Sequence, residues 1–452
     1  MKTLTVTATL LSLLILSPRV GADDKKEPLL QSSWARLELR ADLQNLFHFR
    51  NDADFDRRER DYDTDGQTVG AFATFFNPKV TLHIMDHLRI VYEVELGLNF
   101  WSKHNPDQQS ALSSDVFVLK HRQVYGAGEF WDGRLGFKIG YAHFQDPTGL
   151  FFNHWLGVGL ASWSHSSGRA KISLFVGQLP DQTYEGINIG DNNFTHDIWL
   201  YGFKSRFQLT EDLSLTTSVA RLHDGHVVDR QRWVVAPCAS LEWDTEHLDL
   251  TLDVVLQAGV FEGHAQDGED QTSLAWAAQG NAKLTLGAFD FTLNVMALSP
   301  DDAHQGNDYN HAFLYSGKSR SATLMLTEDE LRDWYDNIDE RMSGYSGGMF
   351  LNRAGLLVAD LKATWNLHEV YRPSVVLGAA TVLKPGNALE NTFVGVEADV
   401  VLEFHVSDFL VGHLVGGVLI PGAAGAALVN RQGGLDATDP IVMTEASLLL
   451  RY

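Results

Sequence analysis

The chain has 452 residues, with 35 basic and 58 acidic side chains and a formal charge of -23. That balance argues against nucleic acid as a partner, because a phosphate backbone is bound by basic surface. A single cysteine, Cys238, excludes an internal disulfide framework, and 39 Gly, 25 Phe and 12 Tyr against 12 Pro suit many strands joined by polar turns.

The N-terminus reads as an export signal. Met1-Lys2 precedes the apolar stretch from Leu4 to Leu16, and small residues follow up to Ala22. Residues 1–22 are expected to be cleaved as a signal peptide. The apolar run falls short of the roughly 20 residues a spanning helix needs, so a membrane anchor fits less well. Losing Lys2 and Arg19 makes the mature chain two charges more acidic.

From about residue 34 the pattern is one of alternation. Ala35, Leu37, Leu39, Ala41 and Leu43 interleave with Arg36, Glu38, Arg40, Asp42 and Gln44, the period of an extended strand with water on one face and an apolar phase on the other. The first long connection carries Asp61, Asp63 and Asp65 before Gly66, the acid spacing of a calcium loop. Position twelve is Phe72 where a bidentate Glu is needed, so this is not an EF-hand. A calcium site in an external loop and a solvated acidic loop both remain open.

Further apolar faces follow at Val80, Leu82 and Ile84, then at Ile90, Tyr92, Val94 and Leu96, each pair of faces joined by a short turn. The strand at 116–128 has two settings. Turning Lys120 and Arg122 inward sends His121 and Gln123 to the apolar side, and that setting is preferred because a midplane Arg or Lys facing lipid costs roughly 2–4 kcal/mol. Leu248, Leu250, Leu252, Val254, Leu256, Ala258 and Val260 form the cleanest face of all. The final stretch alternates Val442, Thr444, Ala446, Leu448 and Leu450 with Met443, Glu445, Ser447, Leu449 and Arg451 before ending on Tyr452. A terminal aromatic after such a strand resembles the ending read by barrel-insertion machinery.

About 18 strands, each long enough to cross a bilayer at a tilt, alternate short turns with long polar loops. The expected fold is all-β: an antiparallel transmembrane β-barrel over residues 23–452, with short periplasmic turns and long external loops. It belongs in the outer membrane of a Gram-negative bacterium, with membrane lipid and the insertion machinery as partners. The longest loop, 298–347, carries a capping box at Thr327 to Glu330. Leu331, Trp334, Tyr335, Ile338 and Met342 then follow at helical spacing. A short amphipathic helix is expected there, either narrowing the pore or lying as a solvated cap.

If the apolar faces meet lipid, the opposite residues are luminal. The first half of the chain contributes Arg36, Arg40, Lys79, Arg89, Lys120, Arg122, Lys138, Arg169, Lys171, Lys204 and Arg206 to that face, against Glu38, Asp42, Glu93 and Glu95. The second half contributes Glu242, Asp249, Asp253, Asp290, Asp360, Glu397, Asp399, Glu403 and Glu445, against Lys283, Lys362, Arg372, Lys384 and Arg451. A basic wall opposite an acidic one would set up a transverse field and favour anionic or carboxylated solutes. The plainer reading is a set of charge ladders that stabilise the wall. No residue pattern singles out a nucleophile, so no enzyme, catalytic residue or cofactor is expected.

Leu119 to Tyr125, with Arg122, Gln123 and Tyr125, followed by Arg134 to Gly140, with Lys138 and Gly140, resembles a strand pair of the alginate-export family of outer-membrane porins. Tyr141 and Ala142 stand where that family often has Arg-Gln. The resemblance implies 18 strands and an Arg-rich lumen that passes an acidic polysaccharide. Export of an exopolysaccharide, with periplasmic export components as partners, is therefore the sharper expectation. A general or substrate-specific porin for uptake of small solutes is the alternative, and a plugged structural barrel a third reading.

Overall fold

The alternation that begins at Ala35 continues as one hydrogen-bonded strand to Arg50, and the pattern repeats around a closed wall. The structure is a computed structural model. It describes residues 30–32, 34–50, 69–85, 87–98, 118–179, 198–224, 232–262, 270–301, 309–311, 313, 320–323, 326, 355–368, 370–384, 391–425 and 439–451. The expected signal peptide, the Asp61, Asp63 and Asp65 loop, the helix expected at 327–342 and Tyr452 lie outside the described residues.

In chain order the strands are β1 (Leu30–Gln31), β2 (Ala35–Arg50), β3 (Val69–Ile84), β4 (Leu88–Leu98), β5 (Val118–Phe130), β6 (Leu135–Gln145) and β7 (Asn153–Ser164). They continue with β8 (Ala170–Leu179), β9 (Ile198–Gln208), β10 (Leu213–Asp224), β11 (Arg232–Asp244), β12 (Leu248–Phe261), β13 (Gln271–Leu286) and β14 (Phe289–Leu298). The last are β15 (Tyr309–Asn310), β16 (Leu356–Trp365), β17 (Tyr371–Thr381), β18 (Phe393–Ser407), β19 (Leu410–Pro421) and β20 (Ile441–Arg451). Apart from the two-residue β1 and β15, the 18 long strands form one antiparallel up-and-down barrel, as the alternation predicts.

The shortest long strands have 10 residues. At about 3.3 Å per residue and a tilt near 45°, ten residues rise roughly 23 Å, enough for the apolar band of an outer membrane. The outer face is apolar and exposed, with Ile139, Leu174, Leu252, Val254, Leu256, Leu377 and Val400 among its side chains. Exposed aromatics gather where the short turns are, including Trp34, Trp131, Trp163, Trp243, Trp365 and Tyr371. An aromatic girdle beside short turns marks the periplasmic interface. Gly287, at a φ of 60°, supplies the left-handed residue of a two-residue turn between Leu286 and Phe289.

Closure is staggered. β20 meets β2 from Asp42 opposite Arg451 to Arg50 opposite Met443. The first residues of β2 pair instead with β1, Leu37 opposite Leu30 and Arg36 opposite Gln31. Strands tilted in a closed barrel must be offset in register, and the offset sets Arg451 opposite Asp42, two residues on from Arg40.

Among the described residues the core lies inside the barrel, between the wall and connections that fold inward. The first is 146–152, whose Leu150, Phe151 and Phe152 are buried against Ala142, Phe144, Leu200, Ala236 and Cys238. The second leaves β14 at its outer end, where Ser299 N–H donates to the Trp276 carbonyl at 2.8 Å, and adds β15 alongside β13. It then buries Phe313 and Leu326 in the same inner core.

Candidate functional site

The chemistry of a barrel lies on its inner face, and the registers fix which residues share it. Across β2, β3, β4, β5 and β6 one row runs Arg36, His83, Arg89, Ala127, Lys138, each directly opposite the next. A neighbouring row runs Arg40, Lys79, Glu93, Gln123. Lys171 faces Arg206 between β8 and β9, and Lys204 sits opposite Ser173. Of the expected basic residues of the first half, the registers set Arg36, Arg40, Lys79, Arg89, Lys138, Lys171, Lys204 and Arg206 along one arc of the inner wall, from β2 to β9. Arg169 lies just below it, in the turn before β8. The side chain of Lys120 lies outside the described residues.

A β-bulge changes the parity of β5. Glu93 is opposite Gln123, but the next residue, Val94, is opposite His121, which leaves Arg122 without a cross-strand partner. An extra residue lets two neighbours point the same way. Arg122 Nε donates to Glu95 Oε2 at 2.8 Å, and Gln123 Nε2 donates to Glu93 Oε2. Both face inward. The strict alternation that sends Gln123 to lipid is corrected here, while His121 does turn outward, against the exposed Tyr92 hydroxyl.

Several cations of this arc are not neutralised. Arg36 pairs with Glu38 at 2.8 Å, Lys79 with Glu93 at 3.3 Å and Arg206 with Glu242 at 3.7 Å. Arg40, Arg89, Lys138 and Lys171 make no ion pair among the described residues. Lys138 instead stacks its ammonium over the Tyr125 ring, 4.3 Å from the centroid, within the field of Arg89 and Lys79.

The acidic arc is different from what the sequence suggests. Asp253, Glu397 and Asp399 are almost fully buried, at 1%, 2% and 1% exposure. They do not face open lumen, because chain folded inside the barrel covers that wall. Leu326 N–H donates to Glu397 Oε2 at 2.8 Å, and Arg320 Nε to Asp253 Oδ2 at 3.1 Å. The acids that stay accessible lie near the periplasmic turns and have basic neighbours. Lys283 Nζ is 3.9 Å from Asp249 and 3.8 Å from Asp290, and Lys362 Nζ is 3.6 Å from Glu403. The accessible inner surface is thus weighted toward positive charge more strongly than residue counts imply.

The inward connection 146–152 went unnoticed in the sequence. Its signal was there: three consecutive apolar residues, Leu150, Phe151 and Phe152, in a seven-residue loop that must bury them. Asp146 organises the turn. Its carboxylate accepts from Thr148 N at 2.8 Å, Thr148 Oγ1 at 2.6 Å, Gly149 N at 3.2 Å and Phe152 N at 2.7 Å. Burial pushes this carboxyl above its ordinary range, and those hydrogen bonds together with the Lys204 charge act against the push.

No protein-family model matches the sequence, and no curated protein does. The fold is similar to several solved structures. OccK9 (OpdG) of Pseudomonas aeruginosa aligns with a TM-score of 0.59 and 13% identity, over 92% of this chain and 98% of that one. OccAB2 of Acinetobacter baumannii gives 0.56 and 10%, and OccK8 (OprE) of Pseudomonas aeruginosa 0.55 and 9%, each with the same coverage. Identities this low establish a shared fold, that of an outer-membrane barrel.

These structures are Occ and Opd outer-membrane proteins, and the likeness to them overturns the alginate-export resemblance. The strand pair that carried it, β5 and β6, records inward cations on adjacent strands beside a bulge. Arg122 pairs with Glu95 and Lys138 stacks on Tyr125, contacts within the wall that name no solute. Exopolysaccharide export falls with the resemblance, and no export component is indicated as a partner. Lipid and the insertion machinery remain the partners that a transmembrane barrel implies.

Proposed function

We propose that the chain is a passive outer-membrane channel for uptake of small solutes, and that its inner wall favours anionic ones. The observation that carries this reading is the imbalance of accessible charge. Arg40, Arg89, Lys138 and Lys171 make no ion pair among the described residues, whereas Asp253, Glu397 and Asp399 are buried. Positive charge on the wall of a narrow wet passage raises the local concentration of anions and repels cations. The fold it shares with Occ/Opd porins supports diffusion as the mode of transport.

Arg40, Arg89, Lys138 and Lys171 would act as a chain of exchangeable sites for carboxylate or other anionic groups. Arg36, Arg122, Lys204 and Arg206 shape the field from partly compensated positions. Purified protein in planar bilayers tests the proposal: ohmic conductance with anion preference is expected, and a barrel that conducts nothing overturns it.

A further inference from the structure

The described part of the second inward connection follows the acidic arc residue by residue. Arg320 donates its backbone N–H to Gln279 Oε1 at 2.8 Å and its Nε to Asp253 Oδ2 at 3.1 Å. Ser321 and the Ala322 backbone lie against the Asp360 carboxylate. Leu326 then closes on Glu397. Asp360, Gly378 and Glu397 are directly opposite one another on β16, β17 and β18. The missing side chain at Gly378 leaves a notch between two carboxylates, and Thr323 fills it. A Cβ built on Gly378 would stand 2.2 Å from Thr323 Cγ2.

We infer that this segment is the charge-selectivity element of the channel: it masks Asp253, Asp360 and Glu397 from permeating ions and puts the Arg320 guanidinium in their place. The inference deepens the uptake-channel reading and rests on it. Without the segment the two walls would carry opposed charges and largely cancel for an ion passing between them. With it, three carboxylates are covered by backbone and side-chain groups, and Arg320 keeps its side chain 36% exposed. A carboxylate walled off from the lumen and hydrogen-bonded cannot be reached by a permeating cation, whereas a solvated one on the wall binds cations at contact.

The test is the chloride-to-potassium permeability ratio in planar bilayers for a small set of variants. Gly378→Ala adds no charge but drives Thr323 out of its notch, so the ratio should fall several-fold. Adding Thr323→Ser, which removes the clashing methyl, should restore it. Arg320→Gln should lower the ratio by itself. Asp360→Asn with Glu397→Gln in the otherwise unaltered chain should leave it unchanged, because those carboxylates are already hidden. An unchanged ratio in Gly378→Ala, or a raised one in the Asn/Gln variant, overturns the inference. The wild-type ratio tests the basic arc separately, since masking is read from the change and not from the starting value.

Discussion

Arg122 Nε donates to Glu95 Oε2 at 2.8 Å from the bulged position of β5, where no residue of β4 stands opposite it. Glu95 is 4% exposed, so the guanidinium is what keeps a buried carboxylate satisfied. Arg122→Ala should therefore cost about 1–3 kcal/mol, the penalty for orphaning a buried acceptor. Thermal unfolding in detergent reads this directly. Glu95→Gln, which retains an acceptor, should cost less and raise anion preference by freeing Arg122.

Gly140 should tolerate no side chain. Its φ is 134°, and a Cβ there would meet the Val124 carbonyl oxygen at 2.2 Å and Tyr125 Cα at 2.7 Å. Those are backbone atoms of the neighbouring strand and cannot turn aside. Gly140→Ala should disturb the β5–β6 pairing and lower the amount of assembled barrel, seen as lost heat-modifiable mobility on gels. Gly126→Ala, with nothing within 4 Å of its added Cβ, is the matched control and should assemble normally.

The extended elements were legible because period two survives wherever lipid and water lie on opposite sides. The stretch 248–261 reads as a strand and is one, Leu248–Phe261. The parity of Gln123 was not legible, because a bulge adds one residue without changing composition. Nor was the fate of Asp253 and Glu397, which alternate like any luminal acid. Their burial depends on Arg320 and Leu326, which lie 67 and 71 residues away in sequence and for which no periodicity speaks.

Asp146 should give the loop at 146–152 a specific pH dependence. Burial raises its carboxyl above the ordinary value, so the folded loop binds the proton more tightly than the unfolded chain does. Its contribution to stability is full below the unfolded value and is lost as pH rises through the raised one. Asp146→Asn does not titrate, so the melting advantage of wild type over this variant should grow as pH falls into the carboxylate range. Asp146→Ala, which leaves several buried N–H donors without an acceptor, should cost at least about 2 kcal/mol.

The outer face should reject charge where the inner face accepts it. Leu256 is 52% exposed on the apolar exterior, while the adjacent Gln257 is fully buried inside. Leu256→Arg places a guanidinium in lipid at a cost of roughly 2–4 kcal/mol near the midplane, and should reduce the folded fraction in bilayers. An equal folded fraction for Leu256→Arg and wild type would place this face away from lipid.

The central claim is that the accessible inner wall is net basic because its acids are covered or paired. The zero-current potential of the purified wild-type channel across a potassium chloride gradient tests it most directly. The account predicts a potential of the sign that marks chloride as the more permeant ion, weakening as salt screens the wall. A potential of the opposite sign, or none under a clear conductance, would contradict it.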